Sequence, residues 1–227
     1  MHIEPGVVNG AKIALSVATA AGGIGLAGKM AYDAIKNDGG LVSLAARSAA
    51  TTALVFSFFE ILPHHPVGVS EVHLILGSTL FLVFGGGAAA IGLALGLLAQ
   101  GLLVAPWDLP QYGMNVTTLL VPLYAMSLLA RKVIPAKTAY KDVTYAQALA
   151  LSTAYQAGIV GWVAFWAFYG QGFGAEALAQ VGTFGVAYMS VIIIEPIADL
   201  ALLAIAKNSD RFKDSPLFHN RLYSPAA

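Results

Sequence analysis

The sequence predicts an all-α, polytopic membrane bundle of about seven transmembrane helices, with the N-terminus outside and the C-terminus in the cytoplasm. Composition, the spacing of apolar runs and the placement of basic residues each point that way. Hydrophobic residues make up 58% of the 227-residue chain and charged residues only 11%, fractions far from those of a water-soluble domain. The formal net charge is zero and gives no sign of a nucleic-acid partner. Cysteine is absent, which excludes disulfides, iron–sulfur clusters and thiolate metal sites, so any metal must be held by nitrogen and oxygen. No basic run followed by a cleavable apolar segment opens the chain, and Met1 is expected to be the mature first residue.

Apolar segments fall near residues 8–31, 44–62, 72–86, 87–105, 115–130, 145–169 and 181–206, separated by short polar or Gly/Pro-bearing turns. The first carries Ala18/Gly22 and Ala21/Gly25, small residues four apart that let two membrane helices approach closely. The second ends at Glu60, read as a marker of the membrane surface, ahead of the helix-ending Pro63. The third and fourth share one run of about 33 residues, too long for a single crossing of roughly 20. Gly85-Gly86-Gly87 is read as the tight turn that divides it. The fifth runs up to Arg131-Lys132. The sixth carries Tyr155, Trp162, Trp166 and Tyr169, assigned to a lipid-facing or interfacial set. The seventh contains Glu195-Pro196, a kink with a buried carboxylate, and Asp199 on the same side one turn later. A structural or coupling role is expected for that pair in preference to metal ligation.

Charge placement tests the count and sets the orientation. With seven spans and the N-terminus outside, the cytoplasmic side collects Lys29, Lys36, Arg47, Arg131, Lys132, Lys137, Lys141, Lys207, Arg211, Lys213 and Arg221, eleven of the twelve basic residues. Only Lys12 is left over. The outer loops near 63–71, 106–114 and 170–180 carry no Lys or Arg, the asymmetry that the positive-inside rule requires. Merging the third and fourth spans would put the Arg131 and Lys207 clusters opposite Lys36.

That orientation gathers metal-capable groups on the outer side: His2, Glu60, His64, His65, His73 and Asn115. A free amine followed by histidine chelates one ion through three nitrogens: the Met1 amine, the His2 amide and the His2 ring. Divalent nickel and copper favour such tetragonal nitrogen sites, and cobalt lies beside nickel in the affinity order. His73, at the mouth of a span two residues after Glu71, is an ionisable residue at membrane depth and a functional candidate by default. His64-His65 reads as a solvated loop pair.

Met1-His2-Ile3 with Gly6, the stretch from Pro66 to Gly77 (PVGVSEVHLILG) and Gly113-Met114-Asn115-Val116 resemble the substrate-capture subunits of cobalt and nickel energy-coupling-factor transporters, the CbiM/NikM type. The resemblance implies that the Met1 amine, the His2 amide and ring, and the His73 ring hold Co2+ or Ni2+ as transported substrate, with no organic cofactor. It implies that Asn115 lies near the site, fixing a histidine ring or the N-terminal loop; Glu71, His64 and His65 are further candidates around the ion. It also implies partners in a bacterial or archaeal plasma membrane: a transmembrane coupling subunit, cytoplasmic ATPase subunits and a small accessory membrane subunit. Residues 1–227 then form one transmembrane capture domain, with 1–7 the metal-binding segment and 207–227 a cytoplasmic tail. No Gly-x-x-x-x-Gly-Lys-Ser/Thr loop is present, so ATP hydrolysis by that route falls to partners.

Three departures from the family pattern stand out. Glu4-Pro5 precedes Gly6, the histidine motif carries one extra residue at Glu71-Val72, and Tyr188 stands seven residues before Glu195 where the family tends to place a histidine. Other classes fare worse. A retinal pump needs a lysine in its last span, and 181–206 has none. A haem- or metal-dependent membrane enzyme needs paired histidines at depth or a His-Glu-x-x-His motif, and neither occurs. The alternatives kept are a non-transporting membrane scaffold, which needs no site, and a metal- or haem-dependent membrane enzyme, which a haem-like absorption band in purified protein would reveal.

Overall fold

Residues 2–213 and 215–225 are described by a computed structural model of the protein. The long apolar runs close as helices, because a backbone without water must satisfy its own hydrogen bonds. In order they are α1 (Ala14–Asn37), α2 (Gly40–Glu60), α3 (Gly77–Phe84), α4 (Gly86–Leu103), α5 (Tyr112–Val133), α6 (Tyr145–Gln171), α7 (Ala175–Met189), α8 (Glu195–Lys207) and α9 (Asn220–Tyr223). Between α2 and α3 lies a hairpin of β1 (His65–Val67) and β2 (Ser70–Val72). Among the described residues six helical stretches are long and apolar enough to cross a membrane: Gly10–Asn37, Gly40–Glu60, Gly86–Leu103, Pro106–Val133, Tyr145–Gln171 and Ala175–Lys207.

The third expected span, 72–86, is therefore corrected: it is not a membrane-length helix. Its first residue, Val72, is the end of β2, residues 73–76 are irregular, and α3 has only eight residues. The cause is local. β-branched Val67, Val69 and Val72 surround Gly68 and favour extended backbone, while a continuous apolar run does not by itself distinguish strand from helix. Leu76 takes a left-handed conformation (φ 56°) where the chain turns into α3. Residues 73–84 nevertheless run from the hairpin to the opposite end of the bundle, where Arg47 Nη1 donates to the Phe84 carbonyl at 2.8 Å. The expected turn at Gly85 is present. Its φ is 83°, and a Cβ there would lie 2.3 Å from the His219 ring.

Packing also reassigns two stretches. Close helix approach occurs at α4, where a Cβ on Gly92 or Gly96 would come within 2.3 Å of Thr51 or 2.6 Å of Val55 on α2. Ala18, Gly22, Ala21 and Gly25 on α1 are exposed instead. The aromatic set on α6 is not lipid-facing: Tyr155 and Trp166 are fully buried, and Trp162 and Tyr169 are half-buried. Gly77 makes room for the Tyr155 ring, and Trp162 Nε1 donates to Thr117 Oγ1 at 3.1 Å.

The last span breaks where Pro196 lacks an N–H to continue the helix: α7 ends at Met189, a 3-10 turn follows over Ser190–Ile193, and α8 begins at Glu195. Glu195 and Asp199 are buried against α3 and α6. Ser78 N–H (3.2 Å), Ser152 Oγ (2.8 Å) and Gln156 Nε2 donate to Glu195, and Ser78 Oγ (2.7 Å) and Thr79 Oγ1 donate to Asp199. Tyr188 is buried, and its hydroxyl has no partner among the described residues.

At the end away from the hairpin, fully buried Arg47 pairs with Asp38 and donates to its carbonyl at 2.6 Å. The chain after α8 returns across this pair. His219 N–H donates to Val83 O at 2.9 Å, Asn220 N–H to Asp38 Oδ1 at 2.9 Å, and Ser43 Oγ to Pro216 O at 2.8 Å.

Candidate metal centre

The site is built by extended backbone. Gly68 opens a two-residue turn with φ 62°, and a Cβ there would lie 2.3 Å from the Gln180 carbonyl of α7. Glycine suits the first position of such a hairpin turn. Pro66 sits on β1, an outer strand of the patch, where its missing N–H is tolerated. The N-terminal arm pairs with the other edge of β2: Ile3 bridges Ser70, Glu4 N–H donates to Val69 O at 3.1 Å and Glu71 N–H to His2 O at 3.0 Å. Ser70 Oγ also donates to His2 O at 2.8 Å.

This register sets the chemistry. With Ile3 opposite Ser70, His2 falls opposite Glu71, and directly opposed side chains are neighbours. Glu71 and His73, two residues apart on extended chain, share a face. His2 Nδ1 and His73 Nε2 both donate to one oxygen, Glu71 Oε2, at 2.9 and 2.8 Å, and lie 3.3 Å from each other. These three side chains are the group that can hold a metal ion among the described residues. Phe59 packs against both rings at 5.1 Å, and His64 stacks on His73 at 4.9 Å with 12° between planes.

Burial disfavours charged imidazole. It lowers the His2 ring below its ordinary value and pushes His73 down to about 2. The two ring hydrogen bonds hold the Glu71 carboxyl well below the usual carboxylate range. Neutral rings and an ionised carboxylate are the protonation states that bind metal. An ion on His2 Nδ1 leaves the ring proton on Nε2, a buried atom without a partner among the described residues. Asp108 lines the small void beside this ring with Gln100, Leu109 and Asn115, and interacts with it electrostatically.

Sequence reasoning named most of this constellation. His2, Glu71 and His73 converge, His64 joins by stacking, and Asn115 Oδ1 accepts from Ile3 N–H at 2.9 Å, holding the arm. His65 is not brought in: it is exposed on β1, paired with Val72. Met1 lies outside the described residues. Phe59, Gln100 and Asp108 were missed. An acidic residue after Trp107, in a loop without Lys or Arg, was the available signal for Asp108.

Residues 2–211 match the family model described as CbiM, cobalt uptake substrate-specific transmembrane region. The chain belongs to this family. It is accordingly a multi-pass membrane protein of cobalt uptake, a transporter component. Two crystal structures share the CbiM-family chain's fold. One, described as a truncated transition-metal transporter, has a TM-score of 0.66 at 15% identity, covering 92% of this chain and 97% of that one. The other, described as a transition-metal transporter, has a TM-score of 0.62 at 16% identity, covering 93% and 94%. No curated protein matches.

Proposed function

We propose that this chain captures divalent cobalt, or nickel, at the outer face of a bacterial or archaeal plasma membrane as the substrate-binding subunit of an ATP-driven importer. The observation that carries the reading is the convergence of His2 Nδ1, His73 Nε2 and Glu71 Oε2 beneath a paired N-terminal arm. In this reading the Met1 amine and the His2 amide complete a near-planar nitrogen set, with Asn115 locking the arm that carries them. The loops at the site's end carry no Lys or Arg, which supports an outward-facing centre with the 207–227 tail in the cytoplasm. The arm-bearing segment 1–7 belongs to one domain with the bundle. A transmembrane coupling subunit, cytoplasmic ATPases and a small accessory subunit supply the work of release.

The test is metal titration of purified protein with an unmodified Met1 amine beside a form extended by one residue before Met1. The extension displaces the amine and weakens affinity if the reading is right; equal affinity overturns it. Loss of cobalt uptake in cells carrying His2→Ala, at unchanged protein level, separates transport from a scaffold role.

A further inference from the structure

One oxygen of the Glu71 carboxylate lies between the His2 and His73 imidazoles. The three edges of the donor triangle are 2.9, 2.8 and 3.3 Å. Donors about 2.1 Å from one ion at right angles lie about 3 Å apart, so this hydrogen-bonded triangle has the size of three adjacent ligand positions around a single ion. In the planar set proposed above, the amine and the ring nitrogen of His2 flank its amide, which leaves the corner next to Nδ1 for His73 Nε2. The 3.3 Å separation of the two ring nitrogens fits adjacent corners. A donor equally near both corners and also within bonding distance of the ion must lie above or below the plane.

We infer that Glu71 is an axial oxygen ligand, and that it selects cobalt over nickel. The inference rests on the planar capture site of the preceding subsection. A deprotonated amide in the plane imposes a strong field. Low-spin divalent nickel, with eight d electrons, then fills the orbital that points along the axis and repels a fifth donor. Low-spin divalent cobalt has seven and a half-filled axial orbital, which bonds one. The register makes the donor available without rearrangement: Glu71 stands opposite His2 because Ile3 bridges Ser70, and the carboxylate already touches both rings. A neutral amide in its place keeps the size and a hydrogen-bonding oxygen but loses the charged donor.

The experiment titrates Co2+ and Ni2+ anaerobically into detergent-purified wild type and Glu71→Gln, both with the native amine. Cobalt affinity is expected to fall about 10- to 100-fold in the variant, the scale on which sites lose affinity when a supporting group is removed. Nickel affinity is expected to stay within about threefold, because planar nickel does not use the axial position. Electron paramagnetic resonance of cobalt-loaded wild type should show a low-spin centre with one axial oxygen donor, a readout that needs no variant. A four-coordinate spectrum, or tight binding of both ions with an unchanged cobalt-to-nickel ratio in Glu71→Gln, overturns the axial role and leaves the capture site standing. Failure of wild type to bind either ion overturns the capture site and the axial role together.

Discussion

Asn115→Ala isolates the contact that docks the N-terminal arm. Asn115 is 1% exposed, and its Oδ1 accepts the Ile3 amide at 2.9 Å. Alanine leaves that buried N–H without a partner, a cost of roughly 1–3 kcal/mol. The arm must open before the Glu71 amide, bonded to the His2 carbonyl at 3.0 Å, can exchange with solvent. Under conditions where opening is at equilibrium, exchange of the Glu71 amide should accelerate about 5- to 150-fold. Hydrogen–deuterium exchange of the metal-free protein in nanodiscs measures this directly. Thr118→Ala is the control, since Thr118 Oγ1 bonds the Met114 carbonyl of its own helix and no other described residue. Acceleration below about twofold, with Thr118→Ala also silent, would refute the claim that Asn115 holds the arm, because even the low end of the cost exceeds it.

Three further outcomes are expected. Arg47→Met takes the cation from the buried Asp38 carboxylate and should cost about 3–5 kcal/mol, whereas adding Asp38→Leu should recover part of the loss in thermal melts, the Asn220 N–H then lacking its acceptor. Gly68→Ala forces a Cβ toward the Gln180 carbonyl at φ 62° and should destabilise the hairpin by at least about 1–2 kcal/mol, with weaker metal capture as the readout. Metal-free arm docking should weaken in acid: both rings have values lowered from 6.5 in the folded state, so the open arm binds more protons below that pH. Moving from about pH 7.5 to about 5.5 should cost up to roughly 1.4 kcal/mol through His73, about tenfold in exchange protection of the Glu71 amide, with the His2 ring adding to the loss in the same direction.

The helices were legible because lipid leaves the backbone few options, and Arg131-Lys132 or the Gly85 turn could be read one residue at a time. The hairpin was not. Val67, Val69 and Val72 are as apolar as a helix start, and what sets them as extended chain is pairing: β1 with β2 across the Gly68 turn, and β2 with Ile3 some 67 residues earlier. For the same reason Glu71 read as a residue beside His73, while its opposition to His2 depends on a register that no local pattern encodes. Tyr155 and Trp166 were misassigned because an aromatic stripe on a helix looks alike whether it meets lipid or the protein interior; for Tyr155 the small Gly77 decided it. Tyr188 lies seven residues before Glu195, about two turns in chain order, yet its hydroxyl found no partner among the described residues.

The family-wide portion stops at residue 211, while His219, Leu222 and Tyr223 still lie against the helices. An expression boundary drawn from kinship alone would amputate this returning strip. Arg47 and Asp38 would then meet water through the hollow at Gly85, and the truncated protein would be judged unstable for a reason unrelated to its cargo. Residues 216–223 are part of the folded body, and an affinity tag belongs after them, on a spacer.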